Sequence, residues 1–128
     1  MSAAAAPAAT DALLVALGAV PGAWLRFAIV NHLAPRLPRR PWATLAVNGL
    51  ACLALGVLVA RLGPGPADRS WMLLLATGFL GSFSTFSTLM AELLDDLRHG
   101  QPGQAAVLLL LSLAGGWLAL LAGLSLGA

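Results

Sequence analysis

The sequence predicts an all-α membrane protein of four transmembrane helices, the third of them broken. Three observations lead there. The composition is 59% hydrophobic and 9% charged, with a mean hydropathy of +0.89, more apolar surface than 128 residues can wrap inside a water-soluble core. The apolar residues fall into four runs, each close to the ~20 residues that cross a bilayer, separated by short polar or proline-rich loops. Only the third run carries a cluster of Gly, Ser and Thr at its middle. No length remains for an attached soluble domain, so one transmembrane domain, residues 12–128, is expected behind a short N-terminal segment.

Residues 1–11 read as a disordered tail, since no basic residue precedes the first apolar run as a secretory signal would require. The first helix is expected over about 12–33, apolar apart from Arg26, and PRLPRRP from Pro35 to Pro41 ends it. The second, about 42–62, has no charge from Trp42 to Ala60 and stops at Arg61 and a GPGP turn. The third, about 71–97, is uncharged from Trp71 to Ala91, yet GFLGSFSTFST from Gly78 to Thr88 is too polar and flexible for unbroken lipid-facing helix. Glu92 to Gly103 is the polar exit, and a charge-free fourth helix covers about 104–126. Four crossings place both termini on one side. Loops one and three carry four arginines (Arg36, Arg39, Arg40, Arg98) and loop two carries two (Arg61, Arg69), a bias small enough to let the chain insert both ways.

The charges exclude several functions. Seven basic residues, all arginine, stand against five acids. They sit mostly between apolar runs, as snorkelling ends do, so nucleic acid is not an expected partner. A lone Cys52 makes no intramolecular disulfide and no metal cluster. Zinc lacks ligands, and a serine such as Ser87 has no core base to activate it, so no enzyme is expected.

The functional signal lies in polar residues placed in hydrocarbon, where they turn into the bundle or a wet path. Thr44, Asn48 and Cys52 are spaced by four and share a face of the second helix; Asn48 serves either as interhelical glue or as an ion ligand. Arg26 either snorkels or attracts an anion. Free backbone at Gly81 to Thr88 must be satisfied by protein, water or an ion, and half-helix ends can offer carbonyls to a cation. Beyond the break, Ser84, Thr88 and Glu92 lie four apart, a hydroxyl track ending in a carboxylate. A kinked helix bonding back on itself is the alternative. Phe86, like Phe83, is either packing or a ring whose positive edge faces an anion. Gly115, Ala119 and Gly123 make a small-residue packing face, and Ser112 reads as structural.

Three segments in order, GAVPGAWLRF (Gly18 to Phe27), TLAVNGLACLALG (Thr44 to Gly56) and GFLGSFSTFSTLMAE (Gly78 to Glu92), resemble the CrcB/Fluc family of small fluoride channels. The resemblance implies an antiparallel, dual-topology homodimer in the bacterial inner membrane, two fluoride pores and a structural Na⁺ at the two-fold. By position, Asn48 resembles the family's pore asparagine, with Thr44 one turn earlier, Arg26 its first-helix arginine, and Phe86 the first of two pore phenylalanines. The second phenylalanine position falls on Leu89, a departure that makes Leu89 replaceable. Gly81 and Ser84 resemble the Na⁺ site through their carbonyls, and Ser87, Thr88 and Glu92 the polar track. The implied activity is passive export of cytoplasmic fluoride, which lowers its toxicity. A proton-coupled multidrug exporter would need a carboxylate in the first helix, and 12–33 has none. A noncatalytic membrane subunit would leave Asn48 and the third-helix break without a role.

Overall fold

The computed structural model describes residues 5–39 and 41–128. It is all-helical among the described residues: α1 (Ala5–Leu33), α2 (Pro41–Arg61), α3 (Pro66–Trp71) running into a π-helical stretch Met72–Leu80, then α4 (Gly81–Phe83), α5 (Ser87–Arg98) and α6 (Pro102–Gly127). A 3-10 turn, Ala34–Arg36, follows α1. Four spans, Pro7–Arg36, Pro41–Arg61, Pro66–Arg98 and Pro102–Gly127, are long and apolar enough to cross a membrane.

The N-terminal expectation needs correction. Residues 1–4 of the expected tail, and Arg40 of the first loop, lie outside the described residues, but from Ala5 onward the chain is helix. The run is rich in alanine, the best helix former, and Pro7 falls in the first turn, where its missing N–H is harmless. Asp11 then fixes that end, accepting two bonds from Arg69 at 2.9 and 2.7 Å.

Glycines set the pairing of spans. α1 packs along the π-helical stretch, and a Cβ at Gly18 would run into the Leu74 carbonyl, one at Gly22 into that of Phe79. α2 packs along α6 in the same way, because a Cβ at Gly123 would strike the Leu53 carbonyl and one at Gly56 that of Leu120. The face of α6 is therefore Gly116, Gly123 and Gly127, not the expected Gly115, Ala119 and Gly123, since a Cβ at Gly115 meets nothing within 4 Å. Between the two pairs lies a small core of Val30, Ala43, Val47, Ala51, Leu80 and Phe83. The long helices otherwise turn large side chains outward, Trp24, Phe27, Leu110 and Trp117 among them, as lipid or a second subunit demands.

Two ion pairs mark the two ends. Arg39 after α1 meets Asp96 of α5 at 2.7 Å, while Asp11 meets Arg69 at the opposite end. Each joins segments that an up-and-down order of four spans brings to one side.

Two stability outcomes follow, both read by unfolding the solubilised protein. Gly123→Ala should destabilise by about 1–3 kcal/mol, the usual cost of overpacking, whereas Gly115→Ala should change stability by no more than about 0.5 kcal/mol. Leu89 is buried, so Leu89→Phe, although it restores the family residue, should likewise cost about 1–3 kcal/mol.

Candidate functional site at the helix interruption

Helical hydrogen bonding lapses between Phe83 and Ser87. Ser84 is extended, with φ −75° and ψ 160°, and α5 starts afresh at Ser87. The lapse is held by one side chain from a neighbouring helix. Asn48 of α2 accepts the Thr85 N–H on its Oδ1 at 2.8 Å and donates its Nδ2 to the Thr85 carbonyl at 2.9 Å. Both backbone groups of Thr85 are thereby satisfied by a single amide. Asn48 was open to two readings, interhelical glue or ion ligand; one donor and the acceptor are committed to the neighbouring span here, and one N–H remains.

Thr85 was not singled out from sequence, yet it is the centre of the network. It is 8% exposed, its Oγ1 accepts the Thr88 N–H at 3.3 Å, and its hydroxyl lies 3.1 Å from that of Thr88. The signal was there: a threonine just before a new helix is the usual first-turn cap. One turn on, fully buried Thr44 donates to Glu92 Oε1 at 2.6 Å.

The expected track of Ser84, Thr88 and Glu92 is therefore corrected. The extended Ser84 breaks the four-residue register. Thr85 takes its place beside Thr88, and Ser84 opens instead with Gly81 on a cleft of about 140 Å³ against Ala51, Cys52 and Leu55. Arg26 does not snorkel: its Nη1 donates to the Ser84 carbonyl at 3.2 Å. It shares a cavity of about 190 Å³ with Asn31, Thr85 and Thr88. Thr88 also reaches a wider, open cavity of about 600 Å³ lined with Glu92, Arg39, Asp96 and His99, a vestibule at the end of the bundle.

On the far side of Asn48 a third cavity, about 260 Å³, is shared with Gly49, Gly115, Gly116 and Ser112 of α6. Ser112 had been read as structural. Its buried Oγ finds no hydrogen-bond partner among the described residues, and Ser112 lines the same cavity as Asn48. Two expected residues stand apart from this assembly. Phe86 is 73% exposed on the protomer surface, and Ser87 beside it is exposed too. Phe83, by contrast, is buried and stacked on Phe79 with ring centroids 6.0 Å apart.

A line of polar groups thus runs from the vestibule through Glu92, Thr44, Thr88 and Thr85 to Asn48 and Ser112. Among the described residues no group of three or more His, Cys, Asp or Glu could hold a metal. The arrangement suits binding and passage of a small ion more than bond-making chemistry.

Comparison with known proteins identifies the family. The family profile described as CrcB-like protein, Camphor Resistance (CrcB), matches residues 13–124. The chain is 48% identical over 123 residues to Fluoride-specific ion channel FluC 1 of Synechococcus sp. (strain CC9902), covering 96% of this chain and 98% of that one. It is 43% identical over 124 residues, 96% of each chain, to the protein of the same name from Rubrobacter xylanophilus. Similarity to the Erythrobacter litoralis Fluoride-specific ion channel FluC is 42% over 122 residues, 89% of each chain. With a profile spanning all four helices and relatives matched almost end to end, this chain belongs to the CrcB family.

Proposed function

We propose that this chain is a fluoride-selective channel that passively exports cytoplasmic fluoride and so reduces its toxicity, working as an antiparallel dual-topology homodimer. It is a multi-pass membrane protein, in bacteria of the plasma membrane, and not an enzyme. The observation that carries the reading is Asn48: an amide in an uncharged span, bonded to interrupted backbone on one side and opening on a polar cavity on the other. The relatives' shared name supplies the ion.

Fluoride is small, strongly hydrated and a strong hydrogen-bond acceptor. Stripping its water needs compact donors, and passage needs binding weak enough to release. Neutral groups meet both demands. The free N–H of Asn48 and the Thr88 hydroxyl form the fluoride path within the protomer; Thr44, its own proton given to Glu92, braces that path, and the exposed Ser87 joins it only where a second copy covers that face. Arg26 acts at the approach, where a cation draws anions in without trapping them. Phe86 offers a weakly positive ring edge; exposed in one protomer, it lines the pore only once a second copy covers it. A potential of about −100 mV inside drives a monovalent anion outward by roughly 2.3 kcal/mol, enough for export without ATP.

The interrupted helix also suits a structural Na⁺. Hard cations take oxygen ligands, and broken membrane helices offer them as carbonyls. Gly81 and Ser84 share one cleft, and the Ser84 carbonyl has a second lone pair beside the one Arg26 uses. Two carbonyls per protomer are too few for the ion. An antiparallel partner related by a two-fold brings a second pair, four in all. When bound, the ion supplies positive charge that neutralises four converging carbonyl dipoles and ties two subunits together.

Fluoride efflux from liposomes containing the purified protein tests the reading. The parent should empty fluoride-loaded vesicles, and Asn48→Ala should slow efflux at least tenfold, since a hydrogen bond to a charged group contributes about 1.5–3 kcal/mol and tenfold in rate is about 1.36 kcal/mol. Parent-like efflux by that variant would return Asn48 to interhelical glue. Phe86→Ile keeps apolar bulk but removes the polarised edge, so it should lose most flux while Leu89→Ile keeps it. The reverse pattern would place the ring's role on the wrong residue.

A further inference from the structure

Two backbone N–H groups at the interruption have changed partners. In a continuous α-helix the Gly81 carbonyl would accept from the Thr85 N–H, and the Ser84 carbonyl from the Thr88 N–H. Here the Thr85 N–H goes to Asn48 Oδ1 at 2.8 Å, and the Thr88 N–H goes to Thr85 Oγ1 at 3.3 Å. Helical pairing persists on either side, with Ser84 N–H on the Leu80 carbonyl and Met90 N–H on that of Phe86, both at 2.9 Å. The two carbonyls relieved of their i+4 donors by side chains are those of Gly81 and Ser84.

We propose that Thr85 is a positioning residue which, with Asn48, holds the Gly81 and Ser84 carbonyls out of helical hydrogen bonding and so makes them available to a cation; this rests on the channel reading and its Na⁺ site. The division of labour follows from the geometry. Asn48 reaches across from α2 and diverts the first N–H, and its Nδ2 at the same time takes one lone pair of the Thr85 carbonyl, as Arg26 takes one of the Ser84 carbonyl. Thr85 diverts the second N–H with its own hydroxyl. At 3.1 Å from Thr88 Oγ1, that hydroxyl can turn its proton toward Thr88 and keep a lone pair for the Thr88 N–H. Burial of Thr85 keeps water from competing. Without the hydroxyl, the Thr88 N–H is left to the acceptor of helical register, the Ser84 carbonyl, and pairing there would close the helix over the site.

The test uses the full-length dimer and a readout separate from transport. A cation that binds only the folded dimer raises its melting temperature as mass action requires. Tm in detergent is measured against NaCl, at ionic strength held constant with an impermeant organic salt, for the parent, Thr85→Ser, Thr85→Val and Thr85→Ala. Thr85→Ser keeps the hydroxyl and should need the parent's Na⁺ concentration for half the stabilisation, within about threefold. Thr85→Val and Thr85→Ala should need at least tenfold more, whatever their starting Tm. A residue that merely caps α5 would lower Tm without moving the Na⁺ concentration required, and that result in either hydroxyl-free variant overturns the proposal. If Na⁺ does not stabilise the parent at all, the cation reading fails and this proposal with it, while fluoride efflux from parent liposomes separately shows whether the channel reading stands.

Discussion

Backbone that leaves a helix inside hydrocarbon has no water to turn to, and the rest of this structure depends on how one such lapse is satisfied. A single amide, Asn48, answers both polar groups of Thr85. Because each unsatisfied group would cost several kcal/mol in lipid, the pairing fixes where α5 starts, and with it the heading of Thr88, Glu92 and Phe86. It also fixes the depth of α2 against the third span, since the amide must reach both groups at once. Thr44 and Glu92, bonded one turn away, repeat the α2 to α5 link toward the vestibule.

Such a clamp needs rigid neighbours, and close backbone approach supplies them. Gly18 and Gly22 let α1 lie against the π-helical stretch, and Gly56 and Gly123 let α2 lie against α6. Lipid gives no hydrophobic drive between helices, so van der Waals packing of this kind does the joining. The result holds the interruption between two tight helix pairs while leaving Phe86 and Gly81 on the protomer's outer surface. An aromatic ring left on the outside beside the interruption is the physical reason for proposing that a second copy covers this face.

The four spans were legible because hydropathy is a bulk property, and the family because its third-span motif combines glycines, hydroxyls and phenylalanines in one order. Less legible was whatever depended on the register across the lapse. Counting by four placed Ser84 with Thr88, yet one extended residue moves Thr85 into that position. Ser112 read as structural because a lone serine in an apolar helix carries no pattern; its place beside Asn48 shows only in the cavity they share. Arg26, with no carboxylate nearby in sequence, turned out to have a carbonyl partner 58 residues away. Residues 5–11 looked featureless because their anchor, Arg69, lies far along the chain in α3.

Neutral donors placed along a narrow path give a selective channel only if they replace fluoride's water well and that of larger anions poorly. Discrimination, more than transport itself, is therefore the central claim. Its most direct measurement is efflux of fluoride and of chloride from the same purified-protein liposomes under an outward gradient, with an ionophore to carry the counter-charge. Rapid loss of fluoride with chloride retained is the predicted result. Equal loss of both anions, or retention of both, would contradict it.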